Sequence, residues 1–246
     1  LPEASRGSRG KPIVNLLPLE EGERINAVLP IKEFDPDKFV LMATRRGTIK
    51  KVSLESFSRP RPSGIIAIDL RDDDELVGIE LTNGERDIML FSSGGKVVRF
   101  KESDVRPMGR TAYGVRGIRM KDNEVVKSVI VVRDGEVLTL SERGYGKRTP
   151  VEEYPVHKRG GQGVRALNMT DKTGALVGAV QVEEGDEVML ISARGNLVRT
   201  RVKEISVVGR NTQGVKIIRL KDDGRLVGLG RIIPDDDEEG EAVEAE

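Results

Sequence analysis

The chain repeats itself at intervals of about 50 residues, and that periodicity limits its fold more than any other feature. Gly47-Thr-Ile-Lys-Lys, Gly95-Lys-Val-Val-Arg, Gly144-Tyr-Gly-Lys-Arg and Gly195-Asn-Leu-Val-Arg stand 48, 49 and 51 positions apart. Ten positions after each glycine lies an apolar residue: Phe57, Val105, Tyr154 and Ile205. A second series, Gly10, Gly64, Gly114, Gly163 and Gly214, runs in phase with the first at steps of 54, 50, 49 and 51. Two independent markers holding one period imply a tandem array in which each unit buries its apolar face against the next.

Each unit has the pattern of short strands. After the second glycine come Ile65–Leu70, Val115–Met120, Val164–Met169 and Val215–Leu220, whose alternation slips by one residue in the middle. A recurring β-bulge is the simplest account of that slip. Carboxylate-rich turns follow, then Leu76-Val-Gly-Ile and its equivalents. Next comes an apolar strand such as Glu187-Val-Met-Leu-Ile, turned by a glycine into the basic strand. About four strands per period predict an all-β, propeller-like array of four-stranded blades. The repeats run near 10–57, 64–105, 114–154 and 163–205, with a half unit at 214–234. A ring of this kind closes by pairing terminal half units. Residues 1–9 are too short to supply the complement, so the chain is expected to lack an N-terminal part of its ring.

Composition narrows the chemistry. There is no Cys and a single His, His157, so disulfides, thiol catalysis and Cys/His zinc sites are excluded. No apolar run approaches the roughly 20 residues that span a bilayer, and no signal segment is visible. A soluble, cytoplasmic protein is expected. The formal charge is zero, but residues 235–246 hold eight carboxylates and no base, leaving 41 basic against 33 acidic residues, +8, in residues 1–234. The acidic end is expected to be a solvated, disordered tail. A second reading makes it an intramolecular polyanion competing for the basic body.

The cations share the repeat. Four positions after the first-series glycines lie Lys51, Arg99, Arg148 and Arg199. Equivalent positions in a closed array are expected to point outward and form a belt. Arg45, Arg46, Lys50, Lys96, Lys101, Arg143, Lys147, Arg194, Arg201 and Lys203 thicken it, and the linkers add Arg59, Arg61, Arg106, Arg110, Lys158, Arg159 and Arg210. A lone cation on an edge strand merely guards against aggregation. A continuous basic rim instead fits a curved path of duplex DNA phosphates. With no recognition helix and no aromatic stacking platform, such a surface would bind DNA without reading bases.

Other motifs carry less. Gly161-Gln-Gly163-Val-Arg-Ala166 matches a relaxed dinucleotide fingerprint but precedes a strand pattern rather than a helix. Asp72–Glu75 and Asp122–Glu124 lack calcium-loop spacing and have the composition of solvated turns. Asn168-Met-Thr170 is a sequon of no use in a cytoplasmic protein.

Longer stretches carry a resemblance. These are Arg6-Gly-Ser-Arg-Gly-Lys-Pro-Ile-Val-Asn-Leu-Leu-Pro-Leu, Val97-Val-Arg-Phe-Lys-Glu-Ser, Gly114-Val-Arg-Gly-Ile-Arg, Gly144-Tyr-Gly-Lys-Arg-Thr, Val177-Gly-Ala-Val-Gln-Val and the run from Leu197 to Val215. Together they resemble the C-terminal domain of DNA gyrase A over essentially the whole chain. The resemblance implies a β-pinwheel, a ring of six blades that exchange strands, whose basic perimeter wraps double-stranded DNA. It implies a non-catalytic, monomeric domain working with the rest of gyrase A and with gyrase B, which hydrolyses ATP to drive negative supercoiling by this type II topoisomerase. ATP and magnesium would act elsewhere in the holoenzyme, so no cofactor is expected here. None of Tyr113, Tyr145 or Tyr154 is expected to be the DNA-cleaving tyrosine. The family's Gln-Arg-Arg-Gly-Gly-Lys-Gly box would lie before Leu1, so the chain is expected to bind and bend DNA but to wrap it poorly. His157-Lys-Arg-Gly-Gly-Gln-Gly163 occupies a linker in a later blade and is box-like. Its Gly-Gly and two cations could still offer backbone N–H groups and charge to a phosphate. The alternatives are the related C-terminal domain of topoisomerase IV and a protein-interaction propeller with no DNA role.

Overall fold

The computed structural model describes residues 22–220 and 224–232, together with Pro12, Asn15, Leu17 and Leu19. The acidic tail at 235–246 lies outside the described residues. Among the described residues, fifteen strands form four antiparallel sheets. The first two strands of each sheet are a hairpin: β1 (Phe39–Thr44) with β2 (Thr48–Ser53), β4 (Asp87–Ser92) with β5 (Lys96–Lys101), β8 (Glu136–Ser141) with β9 (Tyr145–Pro150), and β12 (Glu187–Ser192) with β13 (Leu197–Arg201). The first-series glycines make these turns. In the first hairpin the Gly47 N–H donates to the Thr44 carbonyl and Gly47 sits at φ +86°, a left-handed conformation that costs glycine little. Gly95, Gly144 and Gly195 repeat this three-residue turn.

A third strand flanks each hairpin: β3 (Leu76–Thr82), β7 (Val126–Val131), β11 (Leu176–Val182) and β15 (Leu226–Ile232). These contact one another in order and make the inner edge of the propeller. The approach is close. A Cβ on Gly78 would meet Val129 Cγ1 at 2.8 Å.

The fourth strand is borrowed. β6 (Val115–Arg116) completes the sheet of β1 and β2, β10 (Val164–Arg165) that of β4 and β5, and β14 (Val215–Lys216) that of β8 and β9. Each blade therefore takes its hairpin from one unit, its inner strand from the following unit and its outermost strand from the start of the unit after that, so the sheets straddle the units seen in the sequence. The expected six-residue strands after the second-series glycines are only two residues long. Residues 65–70 form no strand at all. The bulge recurs elsewhere, where the hairpin meets the inner strand, at Ala43/Thr44, Phe91/Ser92, Leu176/Gly178 and Ile191/Ser192. In place of a slipped strand, the chain after β6, β10 and β14 folds down onto the hairpin glycine. The Gly117 and Ile118 N–H groups both donate to the Gly47 carbonyl.

The core lies between successive sheets, because strand alternation gives each sheet two apolar faces. Leu41, Ala43 and Ile49 meet Ile88, Leu90 and Phe100 of the next blade. On the other face of β4, Met89 and Phe91 meet Val137, Tyr154 and Ala179. Leu138 and Leu140 pack with Val188 and Leu190. The apolar residues ten positions after each turn close these interfaces, and Val105, Tyr154 and Ile205 are buried.

Candidate nucleic-acid interface

The cations expected to form the outer belt divide into structural and exposed sets. Twelve residues before three of the four recurring cations stands a carboxylate at the start of the hairpin, and antiparallel pairing brings the two side chains together. Arg99 Nη2 lies 2.8 Å from Asp87 Oδ2, and Arg148 Nη1 lies 2.7 Å from Glu136 Oε2. Arg199 pairs with Glu187 in the same way. In the second and third blades the guanidinium groups then reach into the next blade. Arg99 Nη1 donates to the carbonyls of Val151 (2.9 Å) and Tyr154 (3.1 Å), and Arg148 Nε to that of Ile205 (2.7 Å). Arg148 is buried and Arg99 nearly so.

In the first blade Phe39 occupies the carboxylate position, and Lys51 instead pairs with buried Glu102 of the next blade at 3.2 Å. The Lys51 ammonium lies 4.8 Å from the centroid of the Phe39 ring, a cation–π contact. The second Glu102 oxygen accepts from the Thr82 hydroxyl. Buried charge is tolerable only where it is paired and hydrogen-bonded; here Glu102 Oε1 is ion-paired with the Lys51 ammonium but accepts no hydrogen bond, and Oε2 carries the one from Thr82. An outward belt of Lys51, Arg99, Arg148 and Arg199 is therefore corrected: the first three are pins between blades, and of the four only Arg199 is exposed.

One position earlier stand Lys50, Val98, Lys147 and Val198. Both lysines are fully buried. Lys147 Nζ donates to the carbonyls of Gly209 (2.8 Å), Arg210 (2.6 Å) and Thr212 (3.1 Å), fastening the linker that follows the next hairpin. Lys50 Nζ reaches the carbonyls of Ala67 and Arg110. Burial disfavours the ammonium form. It lowers the Lys50 pKa and brings that of Lys147 down to about 8.

Three linker arginines are also committed to the backbone. Arg110 Nη1 donates to the Ile66 carbonyl (3.1 Å), Arg159 Nη1 to that of Arg116, and Arg210 Nη1 to that of Arg165 (2.6 Å). Each stands four residues before a second-series glycine and grips the borrowed strand, or its equivalent, of the preceding unit. Arg159 and Arg210 also bond the carbonyls of Asp104 and Glu153, both at 3.2 Å.

The remaining expected cations face solvent. Arg45, Arg46, Arg59, Arg61, Lys101, Arg106, Lys158, Arg194, Arg201 and Lys203 are exposed, as is Arg143, and Lys96 is half-buried. Arg45 and Arg46 lie 3.7 Å from Glu75 and Asp73, respectively, on the hairpin turn. In the box-like linker His157, Lys158, Gly161 and Gln162 are exposed. Its path is set by the Gly160 N–H on the Gly117 carbonyl and the Arg119 N–H on the Gly161 carbonyl, both 2.8 Å.

The structure adds cations missing from the sequence-based set. Arg116, Arg165 and Lys216 are equivalent residues on the three borrowed strands, all exposed on the outermost edge. Arg119 and Arg219 follow three positions later and are exposed too. The repeat phase held this signal, two positions after each second-series glycine. What hid it was treating that segment as an internal strand of its own unit. Among the described residues, no three His, Asp or Glu side chains gather as a metal site, and no helix is long and apolar enough to cross a membrane.

The family of the DNA gyrase C-terminal domain, a beta-propeller, matches residues 1–32, 38–83, 86–133, 135–183 and 186–232. The chain belongs to that family. It is 56% identical over 246 residues to the DNA gyrase A protein of Salmonella typhimurium (strain LT2), covering 99% of this chain and 28% of the relative. It is 46% identical to the DNA gyrase A protein of Pseudomonas aeruginosa, over 94% of this chain and 30% of that relative. The chain thus spans under a third of the length of these gyrase proteins. Its fold is similar to a solved DNA gyrase A C-terminal domain, with a TM-score of 0.82 and 28% identity over 92% of this chain and 76% of that one. It is equally similar in shape to the C-terminal domain of DNA topoisomerase IV, with a TM-score of 0.84 and 26% identity over 91% and 70%. Shape alone does not separate the two enzymes. Membership of the gyrase C-terminal family rests on the match to its sequence pattern and on the gyrase A relatives.

Proposed function

We propose that this domain binds, bends and wraps duplex DNA around its outer edge, without reading sequence, in the service of ATP-dependent negative supercoiling by gyrase. The observation that carries the reading is the single exposed cation on each borrowed outer strand, Arg116, Arg165 and Lys216. The Arg116 and Arg165 carbonyls are held by Arg159 and Arg210, which sets the backbone under each charge. Arg106, Lys158 and Lys203 on the neighbouring linkers and turns extend the track from blade to blade. Phosphate contacts spread along a curved edge position a duplex and leave base identity unread. Bending a 20–30 bp site costs on the order of 1–6 kcal/mol, which many such contacts offset.

The domain does no bond chemistry in this reading. DNA cleavage and ATP hydrolysis belong to the rest of gyrase A and to gyrase B, its partners in a cytoplasmic enzyme, and the isolated domain is a monomer. The acidic residues 235–246 act as a competitor for the same edge.

The test is duplex affinity against salt, together with the topology of relaxed circles sealed by ligase in the domain's presence. A log–log salt slope of about −0.9 per neutralised phosphate, with a shift in linking number, is expected. A salt-independent interaction would overturn the reading in favour of a protein-binding propeller.

A further inference from the structure

The outer edges of the first three blades carry a second recurring residue, and it is apolar. Pro107, Val156 and Val207 stand 49 and 51 positions apart, each two residues after a buried closing residue, Val105, Tyr154 or Ile205. At this point each linker lies along the hairpin strand of the blade before it. Parallel bridges join Pro107 to Lys51, Val156 to Arg99 and Val207 to Arg148. The next residue fastens the contact: the Met108 N–H donates to the Lys51 carbonyl (2.8 Å), that of His157 to Arg99 (2.7 Å) and that of Val208 to Arg148 (3.0 Å). The backbone under each apolar side chain is therefore fixed, yet the side chain faces water. Val156 is 45% exposed and Val207 46%, and Pro107 is exposed as well.

A single exposed valine needs no explanation. Recurrence in phase does. The residues before it, Arg106, Pro155 and Ser206, share no chemistry, and neither do Met108, His157 and Val208 after it, whereas the middle position has no polar side-chain atom in any of the three. In the first unit the equivalent residue is Arg59, and among the described residues its linker bridges no strand. The apolar choice thus accompanies a seat on a blade's outer edge. Its place relative to the exposed cation is also constant. Arg116 pairs with Thr48 and Pro107 with Lys51, Arg165 with Lys96 and Val156 with Arg99, Lys216 with Tyr145 and Val207 with Arg148. In each blade the two lie beside strand positions three apart, about 10 Å along the strand.

We propose that Pro107, Val156 and Val207 bear on the deoxyribose faces of a bound duplex, alternating with phosphate contacts from Arg116, Arg165 and Lys216. The inference rests on the DNA-binding reading above. A duplex backbone is not uniformly charged: between its phosphates each sugar presents C–H groups, which a methyl or a ring methylene matches and an ammonium does not. A strand of duplex carries one phosphate per roughly 3.4 Å of axis, so about 10 Å covers about three phosphates, and the cation and apolar residue of one blade meet the same stretch of backbone. Sugar contacts carry no base information, in keeping with a surface that leaves sequence unread. They also divide the work. Phosphate contacts release counterions and weaken as salt rises, whereas burial of apolar surface follows the area removed from water.

Duplex affinity of the 246-residue chain across a range of salt tests this. The double variant Val156→Ala, Val207→Ala is compared with Val227→Ala, a similarly exposed valine on the inner strand β15. The double variant is expected to bind about fivefold more weakly at every salt concentration, with the log–log slope unchanged and with equal losses on A·T-rich and G·C-rich duplexes. Val227→Ala is expected to match the parent. An unchanged affinity in the double variant, an altered slope, or a loss shared by Val227→Ala would overturn the proposal. So would a loss confined to one base composition, which would assign the valines to base edges. A parent chain that binds duplex without a salt slope would instead remove the DNA reading itself, and this inference with it.

Discussion

Phe39 lies beneath the ammonium of Lys51 at 4.8 Å, in the place where Asp87, Glu136 and Glu187 face Arg99, Arg148 and Arg199. One blade thus replaces an ion pair within its own sheet by an aromatic face, and takes its carboxylate, Glu102, from the next blade. In the first three blades the recurring cation keeps one task in two chemistries, that of tying its strand to the neighbour.

Its cost of removal should follow its surroundings. Arg148→Ala leaves Glu136 and the Ile205 carbonyl without their partner at a largely buried contact between blades, and is expected to destabilise the chain by about 3 kcal/mol. Arg199→Ala, at the equivalent but exposed site, should cost under about 1 kcal/mol. Urea midpoints of the two variants make the comparison. Equal losses would mean that the buried Arg148 pair contributes no more to stability than the exposed Arg199 pair.

Charge on the outer strands should separate from charge in the interior. Arg116→Ala, Arg165→Ala and Lys216→Ala are each expected to reduce the salt slope of DNA binding by about 1 while altering stability by less than about 0.5 kcal/mol. Lys147→Met should do the reverse, changing stability and leaving the slope in place.

The buried amine of Lys147 also makes stability depend on pH. Its pKa is about 8 in the folded chain and about 10.4 when unfolded, so between those values the unfolded chain holds more protons. Stability is therefore expected to rise with pH from about 8 to about 10.4, with no contribution to the slope below that window. Lys50, shifted in the same direction, adds to the rise. Denaturant midpoints at about pH 7.5, 9 and 10 should climb in the parent and flatten in Lys147→Met.

Two glycines with nearly the same backbone angle should respond differently to alanine. Gly144 and Gly195 sit at φ +78° and +80°, so both variants carry the left-handed strain of about 1 kcal/mol. Gly144→Ala must also displace the Ile218 carbonyl, 2.5 Å from the new Cβ, whereas Gly195→Ala meets open space. Thermal unfolding of the 246-residue chain is expected to show the larger loss for Gly144→Ala.

Local features of this architecture were legible because they are governed by local chemistry. The glycine turns, the alternating hairpin strands and the buried apolar position ten residues on follow from backbone angle and side-chain period. Which blade a segment joins is a long-range choice, and nothing within Gly114-Val-Arg states that it leaves its own unit. The burial of Lys50 and Lys147 was hidden for a related reason. Their partners are backbone carbonyls of linkers, 17 and 60 residues on for Lys50 and 62 to 65 for Lys147, and a carbonyl has no signature in sequence. The arginine pairs were half legible. The twelve-residue spacing of Asp87 to Arg99, Glu136 to Arg148 and Glu187 to Arg199 is a recurring opposite-charge pair, and the hairpin register explains it.

The borrowed outer strand puts the unit of sequence out of step with the unit of structure. A duplication of one 50-residue period, such as 114–154, copies a junction rather than a blade: a segment that completes one sheet (β6), the inner strand of the next (β7) and the hairpin of a third (β8 and β9). An inserted copy meets backbone partners of the same kind on both sides, so the number of blades can change by whole periods, while the side-chain pins differ where, as at Phe39 and Lys51, their chemistry departs from the repeat.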